Sequence, residues 1–364
     1  MREGDSILKS NQITVEISDN RKEKPAFSSL QFGKTFTDHM FVMDYTEDQG
    51  WHHPRIVPYQ PITLDPAATI FHYGQTVFEG LKAYLSENEE VFLFRPEENI
   101  KRLNRSCERL CIPQVDEEIA LEALQKLVDI DREWIPNVEG MALYIRPFII
   151  STEPNLDVTP SKSYTFMIIL SPVGAFYKEG INPVKIAVEQ EYVRAVRGGT
   201  GNAKTAGNYA GAMLAQKQSG KSGYSQVLWL DGKENKYIEE VGSMNVFFKI
   251  NGEVVTPELS GSILEGITRK SVIELLKHWN VPVSERKISI DDIYDAYKNG
   301  QLEEAFGTGT AAVISPIGEL FWKSEKLIIN DGKTGELAKK IYDALTGIQT
   351  GKVEDPFGWR VTVQ

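Results

Sequence analysis

The order of strand and helix patterns along the chain constrains its fold more than any other feature of the sequence. Short apolar runs of the strand type lie at 36–46, 141–152 and 163–173, with helical patterns between them at irregular intervals. Further runs in the second half are joined at Asp231-Gly232 and Asn251-Gly252, dipeptides that are typical of β-hairpins. Because a doubly wound sheet requires strands and helices in alternation, this order favours an α+β fold with antiparallel strands.

The clearest helical pattern covers residues 97–110. Ile100, Leu103 and Cys107 fall on one face of this helix, at the spacing of a buried stripe. Arg102 lies at the flank of the stripe, where an arginine usually extends its guanidinium toward water. The position of Arg102 taken alone therefore favours a structural role over a functional one.

The length of 364 residues corresponds to about two domains of ~150 residues each. We predict an N-terminal domain over residues 1–173, a linker over 174–183 and a larger C-terminal domain over 184–364. The linker prediction rests on two glycines and a proline, which are typical of connecting segments. The segment 49–63 is rich in proline, histidine and tryptophan, and we predict that it is a loop.

Composition argues against several classes of function. The formal net charge is -11 and no basic cluster dominates, so general binding to nucleic acids or membrane surfaces is not expected. No apolar run approaches the ~18 residues of a membrane span, and the N-terminus lacks the apolar stretch of a secretory signal. Cys107 and Cys111 lie four apart on a predicted helix, where a disulfide is geometrically unfavourable. We therefore expect a cytoplasmic protein, and we predict no metal site.

A glycine-rich segment at 197–209 (RGGTGNAKTAGNY) holds one lysine, Lys204, among residues with very small side chains. Lysine amines form Schiff bases with the aldehyde of pyridoxal 5'-phosphate (PLP), so we hypothesise that Lys204 carries this cofactor. A P-loop requires glycine where Ala203 stands, and a dinucleotide fingerprint requires glycine at position 204, so both of these frames fail. A solvated lysine on a flexible surface loop remains the alternative.

A PLP enzyme also needs an acid that faces the pyridine nitrogen of the cofactor. Glu239 and Glu240 end a strand pattern, and one of the two should face inward because neighbours on a strand point to opposite sides. A solvated acidic pair is the alternative. Tyr209, five residues after Lys204, is placed to donate a hydrogen bond to the phenolic oxygen of the cofactor.

The phosphate group of PLP needs a cup of hydrogen-bond donors. Residues 266–268 (Gly-Ile-Thr) open a predicted helix, whose free N–H groups and dipole attract an anion. Residues 307–310 (Gly-Thr-Gly-Thr) form a second predicted turn with further donors. Arg102 could add the positive charge. An ordinary helix cap and a plain hairpin turn are the alternatives for these two segments.

Six segments together resemble the branched-chain amino acid aminotransferases, which are PLP enzymes of fold type IV. These segments are HYGQTVFEGLKAY, LYIRP, GGTGNAKTAGNY, EEVGSMNVF, ILEGITR and FGTGTAA. They follow the order and spacing of that family from about residue 30 to the end of the chain. Each segment alone is a weak signal, but their combination is highly specific.

The resemblance implies roles for single residues. It makes Lys204 the Schiff-base lysine, Glu240 the partner of the pyridine nitrogen and Tyr209 the partner of the phenolic oxygen. The remaining cofactor-binding residues that it implies are Arg102, Arg194, Ser243, Leu264, Gly266, Ile267, Thr268 and Thr310. The substrate-binding residues that it implies are Tyr73, Phe78, Tyr144, Arg146, Thr310 and Ala311.

The resemblance also implies an activity. It predicts transamination of L-leucine, L-isoleucine and L-valine with 2-oxoglutarate, giving branched 2-oxo acids and L-glutamate, by a homodimer that acts in branched-chain amino acid biosynthesis or degradation. Ala312 and Ser315 stand where some members carry a C-x-x-C pair, so no thiol switch is expected. Other fold type IV enzymes, a D-amino acid transaminase or an aminodeoxychorismate lyase, remain alternatives. A non-catalytic protein that binds a phosphate ligand is a further one.

Overall fold

The computed structural model of the protein describes residues 12–174 and 181–363, so most of the predicted linker lies outside the described residues. No helix within these ranges has the length and hydropathy needed to cross a membrane. The described helices are α1 (Thr69–Tyr73), α2 (Pro96–Arg109), α3 (Glu117–Ile130), α4 (Ala206–Lys221), α5 (Ile267–His278), α6 (Ile290–Lys298) and α7 (Glu336–Thr350).

The strands of the described chain form two nine-stranded sheets. In chain order the strands are β1 (Thr14–Val15), β2 (His39–Thr46), β3 (Gly50–Pro58), β4 (Thr76–Phe78), β5 (Leu81–Leu85), β6 (Val91–Phe94), β7 (Ala142–Ser151), β8 (Ser163–Val173), β9 (Val184–Val188), β10 (Gln226–Leu230), β11 (Ile238–Val241), β12 (Asn245–Ile250), β13 (Glu253–Thr256), β14 (Val283–Glu285), β15 (Leu302–Gly309), β16 (Val313–Trp322), β17 (Glu325–Ile328) and β18 (Arg360–Val363).

The first sheet has the strand order β1-β3-β2-β8-β7-β5-β6-β18, with β4 paired to β7 outside this path. Its longest pairing aligns β7 with β8 in antiparallel register, from Ala142 opposite Val173 to Ser151 opposite Tyr164. Helices α2 and α3 share an apolar core cluster with this sheet, and the predicted stripe of α2 is buried in that cluster. The stripe prediction is therefore confirmed.

The second sheet has the order β11-β10-β9-β16-β15-β12-β13-β14, with β17 paired to β16. The predicted Asn251-Gly252 turn joins β12 to β13, and its two residues have φ values of 50° and 83°. Positive φ at both central positions is what a type I′ hairpin turn requires. The loop that begins at Asp231-Gly232 is longer than a tight turn, because it runs to Tyr237 before β11 begins. The α+β class is confirmed.

The predicted loop at 49–63 is wrong, because β3 occupies most of it and lies between β1 and β2. The β2–β3 register shifts between Val42 and Asp44, where Arg55 and His52 are the respective partners. Pro54 falls within this irregularity. A proline is tolerated in a strand at such a bulge, because its missing N–H is not needed by the ladder.

An apolar cluster connects the two sheets, with Tyr84 and Tyr144 from the first and Phe247 and Phe306 from the second. The last strand, β18, pairs with β6 in the first sheet, although its residues fall within the range predicted for the C-terminal domain. The chain therefore returns to the first sheet after α7. The domain division at 174–183 stays a prediction.

Candidate active site

The backbone around Lys204 is held by three hydrogen bonds to α2 and β4. The Lys204 N–H donates to Ser106 Oγ at 2.9 Å, and the Lys204 carbonyl accepts from the Phe78 N–H at 3.0 Å. Thr205 Oγ1 donates to the Thr76 carbonyl at 2.8 Å. A flexible surface loop would lack these bonds, so the structure favours a lysine in a defined position at the edge of the first sheet.

The Lys204 amine faces two aromatic rings. Its Nζ lies 2.8 Å from Tyr209 Oη and 4.8 Å from the centroid of the Phe78 ring. The Phe78 and Tyr209 rings meet edge to face, with centroids 4.9 Å apart. One turn of α4 separates the tyrosine from the lysine along the chain, so the local fold alone brings these two groups together.

Glu240 and Glu239 lie on β11, and both are buried, so the alternative of a solvated acidic pair is wrong. Glu240 Oε1 accepts from the Leu264 N–H at 2.8 Å and lies 3.3 Å from Arg194 Nη2. Burial raises the pKa of Glu240, and the Arg194 charge opposes that rise. Glu239 instead accepts a hydrogen bond from Ser262 Oγ.

Several of the predicted cofactor residues line one cavity of about 240 Å³ between α4 and β11. These are Arg194, Tyr209, Glu240 and Ser243. Gln226 also lines it, and its Oε1 is buried without a hydrogen-bond partner among the described residues. Sequence reasoning did not single out Gln226, which lies in a strand pattern with no distinguishing motif.

The N-terminus of α5 is open to an anion. Helices α3 and α6 are capped by the side chains of Asp116 and Ser289, whereas Gly266 at the start of α5 provides no side-chain cap. The first turn of α5 also contains no acidic residue. A Cβ on Gly266 would lie 2.0 Å from Asn245 Oδ1, so this close approach requires glycine. The free N–H groups at Ile267 and Thr268 suit a phosphate.

Arg102 lies beside this helix start, with Nη1 donating to the Glu265 carbonyl at 3.0 Å. Its Nε and Nη2 donate to the Glu79 carboxylate at 2.7 and 2.8 Å. Both side chains are buried, so the expectation that Arg102 reaches toward water is wrong. Burial opposes ionisation of Glu79, but the Arg102 charge outweighs it and lowers the Glu79 pKa. Since guanidinium has five N–H donors, two remain for an anion.

Sequence reasoning missed Glu79, although a signal was present. Glu79 and Lys82 are the charged residues in the apolar segment 76–85, and a charge within such a segment needs a partner or a pocket. Asn99 Nδ2 also donates to the Glu79 carboxylate, at 2.8 Å. The partners of Glu79 come from α2, so only the packing of that helix on the sheet identifies them.

The predicted substrate aromatics surround Arg146 on β7. Arg146 Nη2 donates to Tyr144 Oη at 3.0 Å, and its guanidinium carbon lies 4.9 Å from the Phe78 ring centroid. Arg146 Nε is buried and has no hydrogen-bond partner among the described residues. A Cβ on Gly80 would lie 2.0 Å from Tyr144 Oη, so glycine makes room for that hydroxyl. The arrangement joins an apolar surface to an unsatisfied cationic donor.

The predicted glycine-threonine turn begins later than expected. Residues 307–309 belong to β15, and the turn comprises residues 310–312. Thr310 Oγ1 donates to the Gly80 carbonyl at 3.1 Å, which ties this turn to the segment that contains Phe78. The turn therefore lies at the same site as the substrate aromatics.

Tyr73 is the predicted substrate residue that the fold does not bring into these contacts. It ends α1 at the protein surface, where its hydroxyl donates to the Leu156 carbonyl. Its side chain is exposed. Within one chain, the described contacts do not connect it to the aromatic cluster around Lys204.

The chemistry of these groups fits PLP. Lys204 offers an amine for the aldehyde, and Tyr209 offers a hydroxyl beside that amine. Glu240 offers a buried acid, and the start of α5 with Arg102 offers a phosphate cup. This fold and this site define a PLP-dependent aminotransferase, and the chain belongs to the amino-transferase class IV family, whose model matches residues 76–320.

The chain is also similar to particular members of that family. It is 68% identical to "Branched-chain-amino-acid aminotransferase 2" of Bacillus subtilis, over 96% of this chain and 97% of the relative. The solved branched-chain amino acid aminotransferase of Escherichia coli aligns with a TM-score of 0.74 at 27% identity, over 88% and 99% of the two chains. A T.th. enzyme of that name, solved with pyridoxamine 5'-phosphate, aligns with a TM-score of 0.72 at 26% identity, over 88% and 98%. The resemblance to fold type IV enzymes is therefore confirmed.

Proposed function

We propose that this protein transfers the amino group of L-leucine, L-isoleucine and L-valine to 2-oxoglutarate, using PLP held by Lys204. The observation that carries the proposal is the arrangement of Phe78, Tyr144 and Arg146 next to the Lys204 amine. The 68% identity to a Bacillus subtilis protein named as a branched-chain-amino-acid aminotransferase supports it.

The cofactor supplies an aldehyde that reacts with the substrate amine and a pyridine ring that accepts electrons from the substrate Cα. Lys204 Nζ is the group that takes the proton from Cα and later returns one, a role typically worth 10²- to 10⁴-fold in rate. Tyr209 Oη, 2.8 Å from that amine, holds it in position. Because burial raises the pKa of Glu240, its carboxylate is a strong acceptor for a proton on the pyridine nitrogen.

One pocket must accept both an apolar side chain and the γ-carboxylate of 2-oxoglutarate. Phe78 and the ring of Tyr144 suit the apolar group. Arg146 and the Tyr144 hydroxyl suit the carboxylate, because Arg146 Nε is buried without a partner among the described residues. A charge-assisted hydrogen bond to carboxylate would satisfy it.

Replacing Arg146 with methionine is expected to reduce kcat/KM for 2-oxoglutarate by about 10- to 100-fold, since hydrogen bonds to charged groups contribute about 1.5–3 kcal/mol. The value for the L-leucine half-reaction should change far less, because the leucine side chain carries no charge. Both half-reactions are measured by stopped-flow absorbance. Arg132→Met, on the surface beside Asp129, is the matched control, and an equal loss for both substrates would assign Arg146 a structural role.

The experiment that tests the proposed function is a visible absorption spectrum of the purified protein with PLP, before and after addition of L-leucine. A visible band that fades with L-leucine and returns with 2-oxoglutarate supports the reaction and both substrates together. A band that responds to D-alanine but not to L-leucine would instead support a D-amino acid transaminase. No band after incubation with PLP would overturn the assignment of the cofactor to Lys204.

A homodimer is part of this proposal. Large apolar side chains on α1 and the segment after β7 are exposed, namely Phe71 (61%), Tyr73 (41%), Leu156 (63%) and Val158 (83%). Such a patch marks an interaction surface. A second copy of the chain is the occupant we propose, because Tyr73 can then contact substrate in the partner although it does not reach its own site.

Placing a charge in this patch is expected to dissociate the dimer. Val158→Asp should sediment as a monomer of 40.9 kDa, whereas the wild type should sediment at twice that mass. Val353→Asp, at an exposed apolar position outside the patch, is the control and should leave the mass unchanged. A monomeric wild type would contradict the proposal. The domain division at 174–183 and a cytoplasmic location remain proposals from the sequence.

A further inference from the structure

The turn at residues 310–312 presents backbone N–H groups that the described fold does not use. No backbone acceptor within the described ranges pairs with the N–H of Thr310, Ala311 or Ala312. The next residue, Val313, has a φ of 61°. A β-branched residue in the left-handed region is a true outlier, and such conformations persist only where the surroundings hold them.

Lys82 on β5 is one of the groups that hold this turn. Its Nζ donates to the Ala311 carbonyl at 2.8 Å. The side chain is buried, and no acidic residue within the described part of the chain forms an ion pair with it. An ammonium group that is buried without a counter-ion is costly, so a purely structural reason for a lysine here is lacking.

The hydrogen bond to Ala311 fixes the direction of the next N–H group. The described chain contains no cis peptide bond, and in a trans peptide the C=O and N–H groups point in opposite directions. Because the Ala311 carbonyl is directed at Lys82, the Ala312 N–H is directed away from β5. The positive charge also polarises this peptide group, which makes the N–H a stronger donor to an anion.

We infer that Lys82 is a positioning residue for the α-carboxylate of the substrate. Its amine holds the Ala311 carbonyl, and this contact orients the N–H groups of the 310–312 turn toward that carboxylate. The inference rests on the proposed function, since the turn lies beside Phe78 and the Lys204 amine through the Thr310–Gly80 hydrogen bond. Lys82 itself need not touch the substrate.

The test is a comparison of two unreactive ligands that differ only in charge, 4-methylpentanoate and 4-methylpentanamide. Their affinities for the PLP-loaded protein are measured by calorimetric titration. In Lys82→Met, the Kd of the carboxylate is expected to rise about 10- to 100-fold, while the Kd of the amide should stay within about twofold. Lys101→Met, at an exposed lysine of α2, should change neither value.

Three results would overturn the inference or its premise, and they are distinguishable. An unchanged Kd for the carboxylate, or an equal loss for both ligands, would show that Lys82 does not act through the carboxylate. A wild type that binds neither ligand and does not transaminate L-leucine would contradict the proposed function itself. An unaltered cofactor absorption band and thermal midpoint in Lys82→Met would show that the variant is folded and loaded.

The wild type offers a second measurement that does not depend on a variant. Burial lowers the pKa of Lys82 to about 8, so its amine loses the positive charge as the pH rises through that value. Affinity for 4-methylpentanoate should therefore fall between about pH 7 and pH 9.5, and affinity for the amide should not. A flat profile for the carboxylate would contradict the inference.

Other titratable groups around Lys82 do not produce the same profile. Tyr144 lies opposite it on β7, and the groups that share its cavity of about 800 Å³ are Tyr84, Glu87, Glu139, Tyr342, Asp343 and Lys352. Burial raises the pKa of Tyr84 and of Tyr342. Carboxylates ordinarily ionise near pH 4 and stay charged across this range. The ion pair with Glu139 raises the pKa of Lys352, so that charge persists.

Discussion

Replacing Lys204 with alanine is expected to abolish transamination while leaving the fold intact. The amine is the only group that the proposed reaction uses to move the Cα proton, and loss of such a group typically costs 10²- to 10⁴-fold in rate. Loss of the covalent attachment point for the cofactor adds to this. The side chain makes one hydrogen bond, to Tyr209, so the free energy of unfolding should change by less than about 1.5 kcal/mol.

Three measurements separate these effects. Coupled assays give turnover of L-leucine with 2-oxoglutarate, and calorimetry gives the thermal midpoint. Borohydride reduction followed by peptide mass analysis should locate a phosphopyridoxyl group at Lys204 in the wild type and nowhere in the variant. Lys217→Ala, at an exposed lysine on α4, is the matched control and should retain full activity. A Lys204→Ala protein that turns over within about tenfold of the wild type would refute the assignment.

Replacing Glu79 with glutamine is expected to give the largest loss of stability. Glu79 and Arg102 form a buried pair with two hydrogen bonds, and Asn99 donates to the same carboxylate. Removing one partner leaves an uncompensated buried charge, which typically costs 3–5 kcal/mol. The effect should reach the cofactor as well, since Arg102 loses the partner that fixes its guanidinium beside the start of α5.

Urea unfolding measures the free energy, and titration of the protein with PLP measures the cofactor Kd. Asp343→Asn is the matched control, because the Lys339–Asp343 pair has side chains that are 58% and 55% exposed, and exposed pairs contribute at most about 1 kcal/mol. A Glu79→Gln protein that is as stable as this control would show that the buried pair is not required.

The same pair makes a prediction about acid. Because the Glu79 pKa is lowered in the folded protein, its contribution to stability is present above the unfolded-state pKa of about 4.3. That contribution is lost as the pH falls through the lower folded-state value. Glu79→Gln cannot titrate, so its unfolding free energy should depend less on pH in the acid range than that of the wild type.

Local features of the chain could be predicted from the sequence because they depend on neighbours along it. The helical spacing of Ile100, Leu103 and Cys107 placed α2 and its buried face correctly, and Asn251-Gly252 identified a hairpin through the φ values that the turn requires. Lys204 and Tyr209 meet because one turn of helix separates them. These relations involve short sequence distances, so propensity and periodicity are sufficient.

Tertiary packing decided the rest, because the partners lie far apart along the chain. Strand β3 forms despite its prolines, since β1 and β2 lie on either side of it and the bulge accommodates Pro54. Glu79 meets Arg102 only when α2 packs on the first sheet, and Lys82 meets the Ala311 carbonyl across 229 residues of sequence. A sequence determines which charges must find partners when they are buried. Only the three-dimensional arrangement determines which partners they find, because burial and distance are properties of the folded chain.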